Sequence, residues 1–327
     1  MRMRFGKLTT GELEKQVLSK LSRIRPEVEA GAAIGEDCAL LSIPDRILVS
    51  SDPITAGADL TETGALCVSV CCNDVAANGG EPVAMTLTII MTPSSTPSDV
   101  GKIMDGATAR AKELGVEIVG GHTEFSDCVT RPIICGTAIG RTKKPIMKDD
   151  FRPGDKIMVT KSLALEGTCL LVGEKRPELT AEESATIAKF GKMLDVGRES
   201  VAVRVLPEVK AMHDATEGGV LGAVAEICSN AKLGSLLHEE KMPVDALTKR
   251  LCADYGVDPL RLLSSGSMII VASDPAVVRR TLDEIGIEVT EIGEVTESGN
   301  LLVRLDGTKE PFDVTRDEMY NFYGAEE

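Results

Sequence analysis

The sequence predicts a mixed α/β protein built as two domains. Three observations lead there. The chain has 327 residues, more than one compact core usually takes. Strand-like and helix-like stretches alternate along it. A charged stretch with two prolines and a glycine, "TKKPIMKDDFRPGDKIMVTKSL" (142–163), leads into a fresh apolar strand and reads as a seam. The expected domains are residues 1–150 and 151–327.

Taken in order, residues 9–23 read as a first helix, then "DCALLSI" and "RILVSSDPI" as strands separated by the Pro44-Asp45 turn. "TETGALCVSVCCNDVAANGG" (61–80) reads as a helix capped by Thr61 and stopped by Gly79-Gly80. A strand "PVAMTLTIIM", a helix over 96–115, and strands "VEIVGG" and "RPIICGTAIGR" follow. The second half predicts helices near 181–194, 198–205, 217–232, 245–255 and 275–286. Its strands are expected around 209–213, 235–239 and 267–272, with two more near the end. No tandem repeat is visible.

Composition bounds the function. Hydrophobic residues make up 43% of the chain and charged residues 27%, as in soluble globular proteins. Tryptophan is absent and aromatics are 3%, so the core must be aliphatic. A net charge of −15 repels a phosphate backbone and argues against nucleic-acid binding. It does not exclude a nucleotide whose phosphates meet carboxylates through a divalent metal. No apolar run approaches a membrane span, and the N-terminus lacks the apolar core of a signal peptide. Nine cysteines without a CxxC pair, mostly in apolar company, read as buried free thiols of a reducing cytosol.

Four aspartates stand where an element gives way to a loop or meets an apolar face: Asp37 in "IGEDCALL", Asp52 in "LVSSDPIT", Asp74 beside Asn73 in "CCNDVAANGG", and Asp214 in "MHDATEGG". A carboxylate on an apolar helix face needs a hydrogen-bond partner or a metal, and oxygen ligands without a Cys/His set favour Mg²⁺ over zinc. Each alone could equally cap a turn. Two glycine pairs form a second set, Gly120-Gly121 before His122, Thr123 and Glu124, and Gly218-Gly219 after Glu217. Glycine lets backbone approach phosphate closely, and helix N-terminal amides attract anions. Neither GxxxxGK[ST] nor a strand-borne GxGxxG occurs. His122 and His213 lack a His or Cys at ligand spacing and read as hydrogen-bonded rather than metal-ligating. Acyl-transfer motifs are missing too.

In order, "GEDCALL", "SSDPI", "NDVAANGGEP", "VGGHTE", "HDATEGG" and "LLSSGSMIIVA" resemble the superfamily of aminoimidazole ribonucleotide synthase, thiamine-monophosphate kinase, selenophosphate synthetase and the hydrogenase-maturation factor HypE. "GGHTE" and "HDATEGG" look most like the HypE branch. The kinase branch tends to carry aspartate where His122 and Glu217 stand.

The resemblance implies a two-domain PurM-like fold whose N-terminal domains pair across a homodimer into a shared β-barrel. It implies ATP and Mg²⁺ as cofactors, in a cleft that the C-terminal domain completes. Asp37, Asp52, Asp74 and Asp214 would hold the metal, with Asp52 and Asp214 the catalytic pair. Lys7, Asn73, Gly120, Gly121, His122, Thr123, Glu217, Gly218 and Gly219 would bind the nucleotide. The implied chemistry is phosphorylation or activation of a carbonyl or amide oxygen, in the cytoplasm and with a maturation-protein partner. The alternatives are a thiamine-monophosphate-kinase-like enzyme and a non-catalytic nucleotide-binding scaffold. Two departures from the HypE pattern bear on that choice. The chain closes on "MYNFYGAEE" where that branch ends in a reactive cysteine, and Ser265 stands where the branch carries a glutamate taken as a base.

Overall fold

The computed structural model describes residues 6–33, 38–57, 59–147, 150–314 and 316–322. The chain divides into two compact units, one of residues 1–76 and 80–144, the other of 77–79 and 145–327.

The first unit contains β1 (Gly6–Lys7), α1 (Thr10–Gln16), β2 (Val28–Ala30), β3 (Leu40–Leu41), β4 (Arg46–Thr55), α2 (Leu60–Ala77), β5 (Glu81–Met91), α3 (Pro97–Leu114), β6 (Glu117–Phe125) and β7 (Ile133–Thr142). Its main sheet has the order β1-β6-β5-β7-β4, with β5 and β6 parallel and the other neighbours antiparallel. Met85, Leu87, Ile89 and Met91 alternate onto one face of β5 and join Cys67, Val68 and Cys71 of α2 and Val100, Ile103 and Met104 of α3 in an aliphatic core. The two helices meet backbone to backbone. A Cβ on Gly64 would lie 2.0 Å from the Ile103 carbonyl oxygen, and one on Gly106 1.8 Å from that of Thr61.

Two local expectations change. Helix α2 begins one residue before Thr61, and the cap is Asp59, whose Oδ1 accepts the Thr61 and Glu62 N–H groups at 2.7 and 3.1 Å. The first helix is shorter than the 9–23 expected: α1 ends at Gln16, after a complete capping box of Thr9 and Glu12 at its start.

The second unit contains β8 (Lys156–Thr160), α4 (Leu165–Lys175), α5 (Ala181–Lys192), α6 (Gly197–Val203), β9 (Val209–Asp214), α7 (Gly219–Ala231), β10 (Gly234–His238), α8 (Ala246–Tyr255), β11 (Met268–Ala272), α9 (Pro275–Asp283), β12 (Val289–Thr296), β13 (Asn300–Val303), β14 (Lys309–Pro311) and α10 (Met319–Phe322). Its sheet runs β14-β13-β10-β12-β8-β11-β9. All five residues of β11 are buried. Val220, Leu221, Val224 and Ile227 of α7 pack with Ile269 and Val271 of β11 into this unit's own core. Helix α4 was not foreseen, and three strands rather than two close the chain. Among the described residues no helix is long and apolar enough to cross a membrane.

The cysteines divide. Cys67, Cys71, Cys72, Cys228 and Cys252 are buried and Cys135 and Cys169 partly buried, whereas Cys38 and Cys128 are exposed, so the reading as buried thiols fails at these two. Burial pushes Cys228 up to about 11 and Cys252 up to about 12, which leaves both as unreactive thiols.

Candidate functional site

In the first unit the strand period sorts β4 into two faces. Leu48, Ser50, Asp52 and Ile54 are partly covered, while Ile47 and Val49 stand 56% and 65% exposed. Asp52 therefore lies inside the strand, opposite Gly136 of β7, rather than at its end. The Ser50 hydroxyl donates to Asp74 of α2, and Asp52 Oδ2 lies 3.4 Å from the same hydroxyl. Burial first, then repulsion by Asp74, raises Asp52 to about 6. A hydrogen bond between the two carboxyls adds to the rise, and the Ser50 hydroxyl pulls the other way. Two carboxyls this close share a proton when nothing else neutralises them. Their donor chemistry, two carboxylates and a hydroxyl, fits a hard cation that keeps water or phosphate oxygens for its other positions. Asn73, next in the helix, is fully buried. Asp37 lies outside the described residues. Among the described residues no group of three or more His, Cys, Asp or Glu is placed to hold a metal.

Lys7, Gly120, Gly121, His122 and Thr123 line one cavity of ≈ 370 Å³ with apolar walls that include Leu8 and Ile89. Asp52 and Asp74 are not among its lining residues. The strand does not stop at the glycine pair, as the sequence suggested; β6 runs through it to Phe125. Gly121, at φ +149°, is required by the neighbouring strand, because a Cβ there would lie 1.9 Å from the Leu87 carbonyl oxygen. His122 Nε2 lies 3.3 Å from Glu124 Oε2.

The second unit gathers three loops. Asp214 ends β9 and is 1% exposed. His213 Nε2 sits 3.0 Å from Glu226, so both site histidines are held by carboxylates. The Ala215 N–H donates to the Ser267 carbonyl and the Ser264 N–H to that of Thr216. Ser264 Oγ accepts the Ala164 N–H at 2.7 Å. Ala164 and Lys161 are non-glycine residues at φ +57°, so the loop before α4 is strained.

Glu217, Gly218 and Gly219 form the turn before α7, with Gly218 at φ +82° and Gly219 at φ +64°. The Gly218 N–H already has an anionic partner: it donates to Asp317 Oδ2 at 2.7 Å.

Two buried carboxyls here were not singled out from the sequence. Glu166, 5% exposed, hydrogen-bonds Ser265 and leaves Oε2 without a partner. Burial lifts it to about 7, with Asp317 adding and Ser265 opposing. Asp317 is raised to about 6 by burial, against N–H donors from Met319, Gly218 and Leu263. A carboxylate inside the apolar run "SLALEGTCLL" was the available signal for Glu166.

Two α/β units, each matched by its own domain pattern, mark an AIR synthase-related protein. The family's N-terminal domain pattern matches residues 35–142 and its C-terminal domain pattern residues 152–306. The chain belongs to this family.

Within it, the chain is 28% identical to a hydrogenase expression/formation protein of Methanocaldococcus jannaschii, covering 79% of this chain and 78% of that one. It is 26% identical to the carbamoyl dehydratase HypE of Cupriavidus necator (83% and 80% covered) and 27% identical to the thiamine-monophosphate kinase of Pyrococcus horikoshii (89% and 92%). Among solved structures, the hydrogenase maturation protein HypE in complex with ATP superposes with a TM-score of 0.80 at 20% identity, covering 94% of this chain and 95% of that one. HypE in its complex with HypF gives 0.70 at 23% identity, with 82% and 90% covered. These likenesses establish a shared PurM-like fold.

Proposed function

We propose that this protein is a Mg–ATP-dependent enzyme of the HypE-like kind, which activates a carbonyl or amide oxygen of a small substrate. The observation that carries the proposal is the pairing of Asp52 and Asp74 around the Ser50 hydroxyl, a hard-oxygen seat that costs repulsion unless a cation occupies it. Asp37, Asp52 and Asp74 of the first unit would hold Mg²⁺, and Asp214 is a further candidate metal ligand in the second unit. Lys7, Asn73, Gly120, Gly121, His122, Thr123 and the turn Glu217–Gly219 would bind the nucleotide. The metal would neutralise phosphate charge during transfer. The chain's own groups orient the nucleotide and position Mg²⁺.

The ATP complex of HypE and the carbamoyl dehydratase relatives support this reading. The HypE–HypF complex supports a maturation partner, and Ile47 and Val49 on the outer face of β4 support pairing of two copies through that sheet. Calorimetry with Mg–ATP tests it: binding by the wild type and loss in D52N and D214N is the expected result, and binding unchanged in both variants contradicts it. Light scattering that finds only monomer contradicts the pairing.

A second reading, phosphorylation of thiamine monophosphate, is favoured by the kinase relative that covers 89% of the chain. A labelled-ATP assay with thiamine monophosphate decides it, and no labelled product removes it. A non-catalytic scaffold would bind Mg–ATP and turn over none with any acceptor.

A further inference from the structure

Beside helix α1 the first unit keeps apolar surface that its own core does not cover. Leu13 and Val17, with Leu21 just beyond them, pack against that core yet stay only partly buried. They line one side of the ≈ 370 Å³ cavity, and Ile89 of β5, Met104 of α3 and Ile118 of β6 line the other. The α1 side is pinned in place, because Lys20 Nζ donates to the Gly101 carbonyl of α3 at 2.6 Å. Protein interiors leave few voids larger than a water molecule, and this one reaches the ~300–1,000 Å³ range of small-molecule sites.

The lining chemistry narrows the occupant. Among the described residues none that lines the cavity carries a carboxylate, although the chain has 51 Asp and Glu against 36 Lys and Arg. No Phe, Tyr or Trp lines it either, so a flat base finds no ring to stack on. Lys7, His122 and Thr123 supply the charged and hydrogen-bonding side chains. Lys7 stands opposite Glu124 in the β1–β6 pair, which sets these three together at one end. The remaining walls are mostly aliphatic, and apolar cavities of even ~150 Å³ take up hydrocarbon rather than water. Leu21 and Ile118 also border a second pocket of only ≈ 10 Å³, so a chain that reaches them has nowhere further to go.

We propose that this cavity seats a medium-chain aliphatic carboxylate, with its hydrocarbon between α1 and the sheet and its head at Lys7 and His122. Binding needs only the cavity. The role of such a ligand as the acceptor, whose carbonyl oxygen is activated, rests on the Mg–ATP reading and names the substrate class for it. The adenine base is the competing occupant.

Calorimetry on the full chain compares butyrate, octanoate and octanol, and separately adenosine and Mg–ATP. Octanoate should bind one per chain and at least about tenfold tighter than butyrate, since each buried methylene adds about threefold. K7M should weaken octanoate about tenfold and leave octanol within twofold, because only the charged head loses its partner. L13W, which puts an indole where the hydrocarbon lies, should abolish octanoate binding. Equal affinity for butyrate and octanoate, or octanoate binding that survives in folded L13W, overturns the proposal. Displacement of octanoate by adenosine gives the cavity to the base and overturns it as well. Octanoate binding without Mg–ATP binding supports the site and removes the nucleotide reading. Should L13W not fold, hydrogen exchange on the wild type decides: octanoate should protect residues 8–21 and 118–123, and no change there overturns the proposal.

Discussion

Gly121 lies against the Leu87 backbone so closely that a Cβ would stand 1.9 Å from its carbonyl oxygen. The parallel pair β5–β6 is therefore closed around a missing side chain. G121A must push the strands apart and adopt φ +149°. A loss of at least about 3 kcal/mol is expected, read by urea unfolding. A folded variant of wild-type stability would show that the strands move freely here.

Asp52 and Asp74 repel in the absence of a cation. D52N should stabilise the metal-free protein by about 1 kcal/mol at pH 8, a figure discounted for partial solvent exposure. The same variant should lose the stabilisation that Mg–ATP gives the wild type, about 2.7 kcal/mol at a hundredfold excess over Kd. Thermal melts with and without Mg–ATP measure both.

Glu166 sets a pH dependence. Its native carboxyl holds its proton up to about 7, whereas the usual glutamate value is 4.5. Between those values the folded state binds more protons than the unfolded state, so stability falls as pH rises through that window and is level above it. The deficit is on the order of 3 kcal/mol at pH 8 and vanishes below the lower value. E166Q should therefore raise the melting temperature at pH 8 and change it little at pH 4.5. Equal shifts at the two pH values would contradict a buried, proton-holding carboxyl.

Lys161 and Glu199 form a buried pair at 2.7 Å, with side chains 11% and 1% exposed. Lys161 also donates to the Met193 and Asp195 carbonyls. E199A leaves an uncompensated charge inside and should cost about 3–5 kcal/mol. The double variant E199A/K161M should recover part of that loss, as measured by denaturant midpoints.

Much of this fold could be read from the residues because its elements carry the strongest local signals. The helix expected over 96–115 is α3, bracketed by the Thr96–Asp99 capping box and the left-handed Gly115. The alternation of β5 reads directly as a half-buried strand. Helix α4 carries little sequence signal because its start at Ala164 has no side-chain cap and its two glycines and Thr168 dilute the helical pattern. Asp59 was missed as a cap because Thr61 is an equally good one by type; only the helix's actual first turn decides. At the site, Asp52 and Asp74 could be named but not their joint hold on Ser50, since 24 residues separate the strand hydroxyl from the helix carboxylate. The role of Asp317 had no local signal. Its partner is a backbone N–H, which every residue type but proline supplies.

The strand order of the second sheet has a consequence for how the protein is made. β12 (Val289–Thr296) pairs with β8 (Lys156–Thr160) on one side and β10 (Gly234–His238) on the other. A ribosome must therefore deliver about 300 residues before the centre of that sheet can close, while the first unit's sheet is complete by residue 142. The N-terminal unit should gain protease resistance on stalled nascent chains well before the second. The later unit, with its long-range pairings, should be the slow and chaperone-dependent half.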